Sequence, residues 1–147
     1  MLAKTYQSAM NMLARREHSV FELTRKLQQK DYPSDMVKQV IERLVADNLL
    51  SDECFAEAYV RMRSARGFGL KRIRLEMKER GVDSELVREA IEQSDVDWFA
   101  LARDVRDRKF GEHYPQEFAL RAKQMKFLQY RGFSHAQINA AVTGLED

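Results

Sequence analysis

Apolar positions along this chain recur every three to four residues, and the spacing itself repeats. Val20, Leu23 and Leu27 fall on one face of a helix, as do Leu70, Ile73 and Met77. A shift of 50 carries Leu23, Leu27, Tyr32, Met36, Val37 and Ile41 onto Ile73, Met77, Val82, Leu86, Val87 and Ile91. A further shift of 51 carries Met77, Gly81, Val82, Val87 and Ile91 onto Leu128, Gly132, Phe133, Ile138 and Val142. Apolar phase and turn chemistry both survive the shifts, which marks an internal repeat.

Each unit reads as three helices, A, B and C. The first B helix begins at Ser19 with Glu22 three residues on, a capping box. Gly81 and Gly132 end the second and third B helices in the left-handed conformation, and Asp31 occupies that place in the first. Every C helix opens on a hydrophobic staple: Tyr32 with Val37, Val82 with Val87, Phe133 with Ile138. Asp83 and Ser134 are good N-caps, and Pro33 pre-sets the start of the first C helix. The A helices are expected over residues 3–16, 52–66 and 96–110.

Between the second and third units the A helices are offset by 44 and the C helices by 51, so the third unit holds seven extra residues. They are expected around Gly111–Tyr114 and in a longer third B helix opened by Pro115. A three-helix unit this small cannot bury a core alone. The expected fold is therefore all-α: three tandem three-helix repeats stacked into an elongated, curved array. It forms a single repeat-built domain with repeats at 1–50, 51–94 and 95–147, expected to be monomeric.

Composition agrees with few helix breaks: two prolines and six glycines in a chain 33 % charged. No run approaches the roughly 20 apolar residues that span a bilayer. The N-terminal residues are too polar for a secretory segment, and the lone Cys54 excludes an internal disulfide. A cytoplasmic protein without membrane contact is expected. His18, His113 and His135 lie far apart with no second ligand at helical spacing, and read as surface or capping residues. Cys54 reads as a small core residue beside Phe55 and Ala56. Gly67-Phe68-Gly69 has Arg72 where a third phosphate-loop glycine belongs. No catalytic residue, cofactor or metal site is expected.

Charge alternates along the chain: +4 over 1–30, −5 over 31–57, +6 over 58–82, −5 over 83–97 and +2 beyond. Within the basic block Arg72 has Glu76 four residues away, and Glu76 has Arg80. Arg63, Arg66, Lys71, Arg74 and Lys78 have no carboxylate at helical spacing. Lys71, Arg74 and Lys78 form one stripe beside the Leu70/Ile73/Met77 face. The equivalent positions are Phe21, Thr24 and Gln28 in the first unit and Ala122, Met125 and Gln129 in the third. The stripe belongs to the middle unit alone, so it is expected to bind phosphates or an acidic protein groove.

The run LLSDECFAEAYVRMRSARGFGLKRIRLEMKERGVD resembles the signature of the RecX family of bacterial recombination regulators. ARREHSVFELTRKL, with its RR-x-H-S-x-x-E-L pattern, resembles that family's N-terminal part. The resemblance covers nearly the whole chain, most weakly in the third unit. It implies a negative modulator of the RecA recombinase that lies along the groove of the RecA–single-stranded-DNA filament, with single-stranded DNA as a secondary contact. Leu70 departs from the proline that family members carry after G-x-G, which puts the sharpness of the second B helix's start in question. From residues alone, a helix-turn-helix-like DNA-binding protein is the alternative. The acidic C helices, facing phosphate repulsion, and the lack of a base-reading Asn/Gln/Arg cluster weigh against it.

Overall fold

The computed structural model describes residues 1–145. Among them the chain forms nine helices and no strand: α1 (Leu2–Arg15), α2 (Val20–Gln29), α3 (Ser34–Ala46), α4 (Asp52–Ala65), α5 (Leu70–Glu79), α6 (Ser84–Gln93), α7 (Trp98–Phe110), α8 (Phe118–Arg131) and α9 (His135–Thr143). These are the A, B and C helices of three tandem three-helix units. Compactness divides the chain differently. One unit takes Met1–Ala58 with Met77–Ala90, the other Tyr59–Glu76 with the chain from Ile91 onward. The middle repeat contributes to both.

In the first compact unit, Ala9, Leu23, Leu27, Val37, Val40, Ile41, Leu44 and Leu50 form the core, with Tyr6, Leu13 and Tyr32 against its edge. Full burial of a leucine such as Leu23 or Leu27 contributes about 1.5–3 kcal/mol. The Ser19 capping box is present: Ser19 Oγ accepts from the Glu22 amide, and Glu22 Oε1 accepts from the Ser19 amide, both at 3.1 Å. A third orphan donor, the Val20 amide, gives its hydrogen bond to Asp52 Oδ1 at 2.8 Å. Asp52, an acidic residue at the start of its own helix α4, thus also caps α2. Asp31 has φ 63°, matching Gly81 at φ 74° and Gly132 at φ 98°. One left-handed residue thus follows each B helix, as the repeat predicts.

In the second unit, Ala102, Leu128, Phe133, Ile138, Ala141 and Val142 are the core. The Phe133–Ile138 staple lies inside it, and Ser134 caps α9 with Gln137 in a second capping box. Pro115 does not open the third B helix: α8 begins at Phe118, and Pro115 is buried in the connector before it. The connector packs on Arg106, 1 % exposed. Its Nη1 and Nη2 donate to the carbonyls of His113 (2.9 Å) and Glu112 (3.4 Å), and its guanidinium lies 4.9 Å from the Tyr114 ring centroid. These contacts hold residues 112–114 in the connector against Arg106, and α8 follows its N-cap Glu117. The third B helix is longer as expected, 14 residues against 10 for α2 and α5.

The start of α5 is also decided in this unit. The Gly69 amide donates to the Arg131 carbonyl at 2.8 Å and the Lys71 amide to the Gly132 carbonyl at 2.9 Å. The unsatisfied acceptors at the end of α8 therefore meet the unsatisfied donors at the beginning of α5, with the two helix dipoles head to tail. A Cβ on Gly69 would lie 2.5 Å from the Gly132 carbonyl carbon, so the contact requires glycine. Leu70 leaves the start of the helix sharp because α8 supplies the cap that a proline would not.

Candidate functional site

The basic segment runs from the end of α4 through the Gly67-Phe68-Gly69 turn into α5, and its cations separate into two kinds. Glu76 gathers the first kind. Arg63 holds it bidentately, Nε to Oε1 and Nη2 to Oε2, both at 2.9 Å. Tyr59 Oη donates to Oε1 at 2.9 Å and Arg72 Nε to Oε2 at 3.2 Å. Burial alone would raise the Glu76 carboxyl. Hydrogen bonds from Arg63, Tyr59 and Arg72 outweigh it and hold the group below its ordinary range. The Phe68 ring completes the cluster, with guanidinium carbons of Arg63, Arg72 and Arg131 at 3.8, 4.6 and 4.7 Å from its centroid.

Arg63 therefore leaves the set of unpaired cations. Its side chain is 14 % exposed and ties α4 to α5, through a carboxylate 13 residues away that helical spacing does not reveal. The Arg72–Glu76 pair is formed as expected. Arg80 makes an ion pair with Glu22, at 3.6 Å.

Lys71, Arg74 and Lys78 are the second kind. All three are exposed on α5, whereas Ile73 and Met77 on the adjoining face are 0 % exposed. The three cations thus form a stripe on one helix face, backed by core. Arg66 is exposed too but belongs to another neighbourhood. With Arg108, Lys109, Phe127 and Arg131 it lines an open pocket of about 370 Å³, which also contains Asp104. The Arg66 carbonyl accepts from Arg131 Nη1 at 3.1 Å.

Two further residues differ from expectation. His18 is neither a surface nor a capping residue: it is 1 % exposed. Its Nδ1 lies 3.1 Å from the Arg16 carbonyl and its Nε2 2.9 Å from Lys26 Nζ, an arrangement suited to a neutral ring that donates at Nδ1 and accepts at Nε2. Burial, then the charges of Arg16 and Lys26, push its pKa down. Cys54 is exposed rather than core. Phe55 and Ala56 take the buried arc of α4, and one residue's rotation carries Cys54 out of it. His113 and His135 are exposed, and no group of three or more His, Cys, Asp or Glu able to hold a metal occurs among the described residues. No helix among them is long and apolar enough to cross a membrane.

Comparison with known proteins agrees with this architecture. Family models for the first, second and third three-helix domains of RecX match residues 6–44, 51–91 and 95–142. The chain is 41 % identical over 138 residues to the regulatory protein RecX of Pseudomonas entomophila, covering 94 % of this chain and 89 % of that protein. It is 40 % identical over 140 residues to the regulatory protein RecX of Halorhodospira halophila, covering 95 % and 87 %. In fold it is similar to the crystal structure of RecX from Lactobacillus salivarius, with a TM-score of 0.79 at 22 % identity over 98 % of this chain and 96 % of that one. A second crystal structure, of a regulatory protein RecX, gives 0.81 at 21 % identity over 98 % and 73 %.

Proposed function

The chain belongs to the RecX family, and on that premise we propose that it is a negative modulator of the RecA recombinase. In this reading it lies along the groove of the RecA–single-stranded-DNA filament and limits the filament's extension and activity, in the control of DNA repair and recombination. The observation that carries the reading is the stripe of α5: Lys71, Arg74 and Lys78 exposed together on a helix whose other face is core. A row of cations without helical-spacing counterions suits a groove lined by carboxylates or phosphates. Arg66 lies apart from the stripe, at the pocket with Arg108 and Arg131, and Arg63 is withdrawn from the contact set because Glu76 and Phe68 occupy its guanidinium.

The test is charge reversal. Lys71→Glu, Arg74→Glu and Lys78→Glu together keep good helix formers on an exposed face, so stability should change little. Suppression of RecA's DNA-dependent ATP hydrolysis and strand exchange should fall steeply, because each reversal removes one attraction and adds one repulsion. Met77→Ala, on the core face of the same helix, should cost about 2–5 kcal/mol and lower activity only by unfolding. Inhibition by the parent should also weaken as ionic strength rises. A folded triple variant that suppresses RecA like the parent would reduce the stripe to a solvated face.

A further inference from the structure

Four cations from helix ends line the 370 Å³ pocket: Arg66 just past α4, Arg108 and Lys109 in the last turn of α7, and Arg131 at the end of α8. Asp104 is the one carboxylate among the described residues that line it, and Arg108 engages it at 3.2 Å. Cations are common at helix C-termini, each of which carries about half a negative charge. That ordinary role does not use up the charge here. The end of α8 is already met by the first amides of α5. The ends of α4 and α7 together offset at most about one charge, and Asp104 offsets one more, so about two positive charges are left over. Uncharged partners hold the heads in place. Arg131 Nη1 donates to the Arg66 carbonyl at 3.1 Å, and its guanidinium carbon lies 4.7 and 5.3 Å from the Phe68 and Phe127 ring centroids. Lys109 Nζ lies 5.5 Å from the Phe127 centroid. A Cβ on Gly67 would lie 2.9 Å from Val105 Cγ2 and 3.6 Å from Arg131 Nη1, so glycine keeps this wall of the pocket open.

From this we propose that the pocket binds a free triphosphate group, as inorganic triphosphate or as the tail of a nucleoside triphosphate, independently of RecA and of the α5 stripe. Its volume lies within the roughly 300–1,000 Å³ of small-ligand sites, and charges fixed before binding need little ordering when the ligand arrives. The surplus charge is concentrated in one cavity, which suits a compact anion of high charge. A terminal phosphate alone carries about −1.5 to −2, whereas a nucleic-acid strand spreads one charge per phosphodiester along its length. Phe127 is the one aromatic side chain in the wall, and it is taken up by Lys109, Arg131 and the edge-on ring of Phe110 at 5.5 Å. No ring is left for a base to stack on, so the site reads phosphates and leaves the base unread.

The experiment is isothermal titration calorimetry of the full chain with inorganic triphosphate and, separately, with ATP, at low salt and without magnesium, RecA or DNA. The two affinities should agree within about fivefold, since the phosphates are the shared chemistry. Arg66→Glu with Lys109→Glu, both at exposed positions, should weaken triphosphate binding at least tenfold. Asp104→Asn should tighten it about two- to fivefold, because the repelling carboxylate leaves the wall and Arg108 is released. Such a gain cannot come from unfolding. Lys30→Glu with Lys38→Glu, an equal charge change at exposed positions of α3 and the end of α2, should cost less than threefold. The Lys71, Arg74 and Lys78 triple reversal should also cost less than threefold, so failure of the filament reading and failure of this one are distinguishable. The proposal is overturned if inorganic triphosphate does not bind, or if ATP binds more than fivefold tighter and a base is therefore read. It is also overturned if either control set weakens binding as much as the pocket reversal, or if Asp104→Asn does not tighten it. Displacement of the triphosphate by oligothymidylate at equal phosphate concentration would overturn it too.

Discussion

At the scale of single residues, identical backbone places are filled by different chemistry, and stability should register the difference. Asp31 holds the left-handed conformation that Gly81 holds 50 residues later, at φ 63° and 74°. A Cβ is strained there, so Asp31→Gly should stabilise the protein by about 0.5–1 kcal/mol, read as a higher midpoint in urea. Gly81→Ala should do the reverse by a larger amount, since its Cβ would also lie 2.6 Å from Phe21 Cβ. His18 sets a pH dependence. Its folded pKa lies below the ordinary value of about 6.5, so the unfolded chain takes the proton first. Stability should be level above that pH and fall as pH drops through 6.5 toward the folded value. Burial pushes the Glu22 carboxyl up, but hydrogen bonds from Arg16 and the Ser19 amide more than offset it and leave the group lowered. Its contribution is therefore lost in a second window, below about 4.3. His18→Gln should abolish the upper window and keep the lower one in urea melts taken across pH.

At the scale of elements, helix ends carry more information than helix middles. α2 is stapled at its start by its own Ser19 and Glu22 and by Asp52 from α4. α5 takes no such local cap from the Gly67-Phe68-Gly69 turn; the C-terminal carbonyls of α8 accept from its first amides instead. Gly69→Ala should therefore do more than a glycine substitution in an open turn. With its Cβ 2.5 Å from the Gly132 carbonyl, the junction must part, and Lys71 should lose its donor–acceptor partner. Hydrogen exchange at the Lys71 amide should rise by at least tenfold, with a stability loss of about 2 kcal/mol or more. Unchanged protection at Lys71 in that variant would mean the α8 end is not the cap.

At the scale of the molecule, the alternation of charge from +4 to −5 to +6 to −5 to +2 leaves a net of only +2, so long-range attraction to a polyanion is weak overall and concentrated in local faces. The exposed row of Lys71, Arg74 and Lys78 on α5 is such a local concentration of charge. The repeat buries its apolar stripes within one chain and shows no sustained coiled-coil heptad, so the protein should be helical and monomeric. Circular dichroism should show negligible strand, and light scattering should give a mass near 17.2 kDa. A scattering mass near twice that value at micromolar concentration would contradict it.

The nine helices of the described residues, their order in threes, the Ser19 and Ser134 caps, the left-handed Asp31 and the outward face of Lys71, Arg74 and Lys78 were all legible in the sequence. Each depends on residues within one or two helical turns, where spacing translates directly into geometry. Tertiary structure alone decided that Arg63 serves Glu76, that His18 is buried against Lys26, and that Pro115 waits in a connector pinned by Arg106. It alone placed the end of α8 against the start of α5. Those partners stand from 7 to more than 60 positions apart and never both on one helix, so no helical period links them. Only chain folding sets which of many equivalent cations meets a given carboxylate or carbonyl.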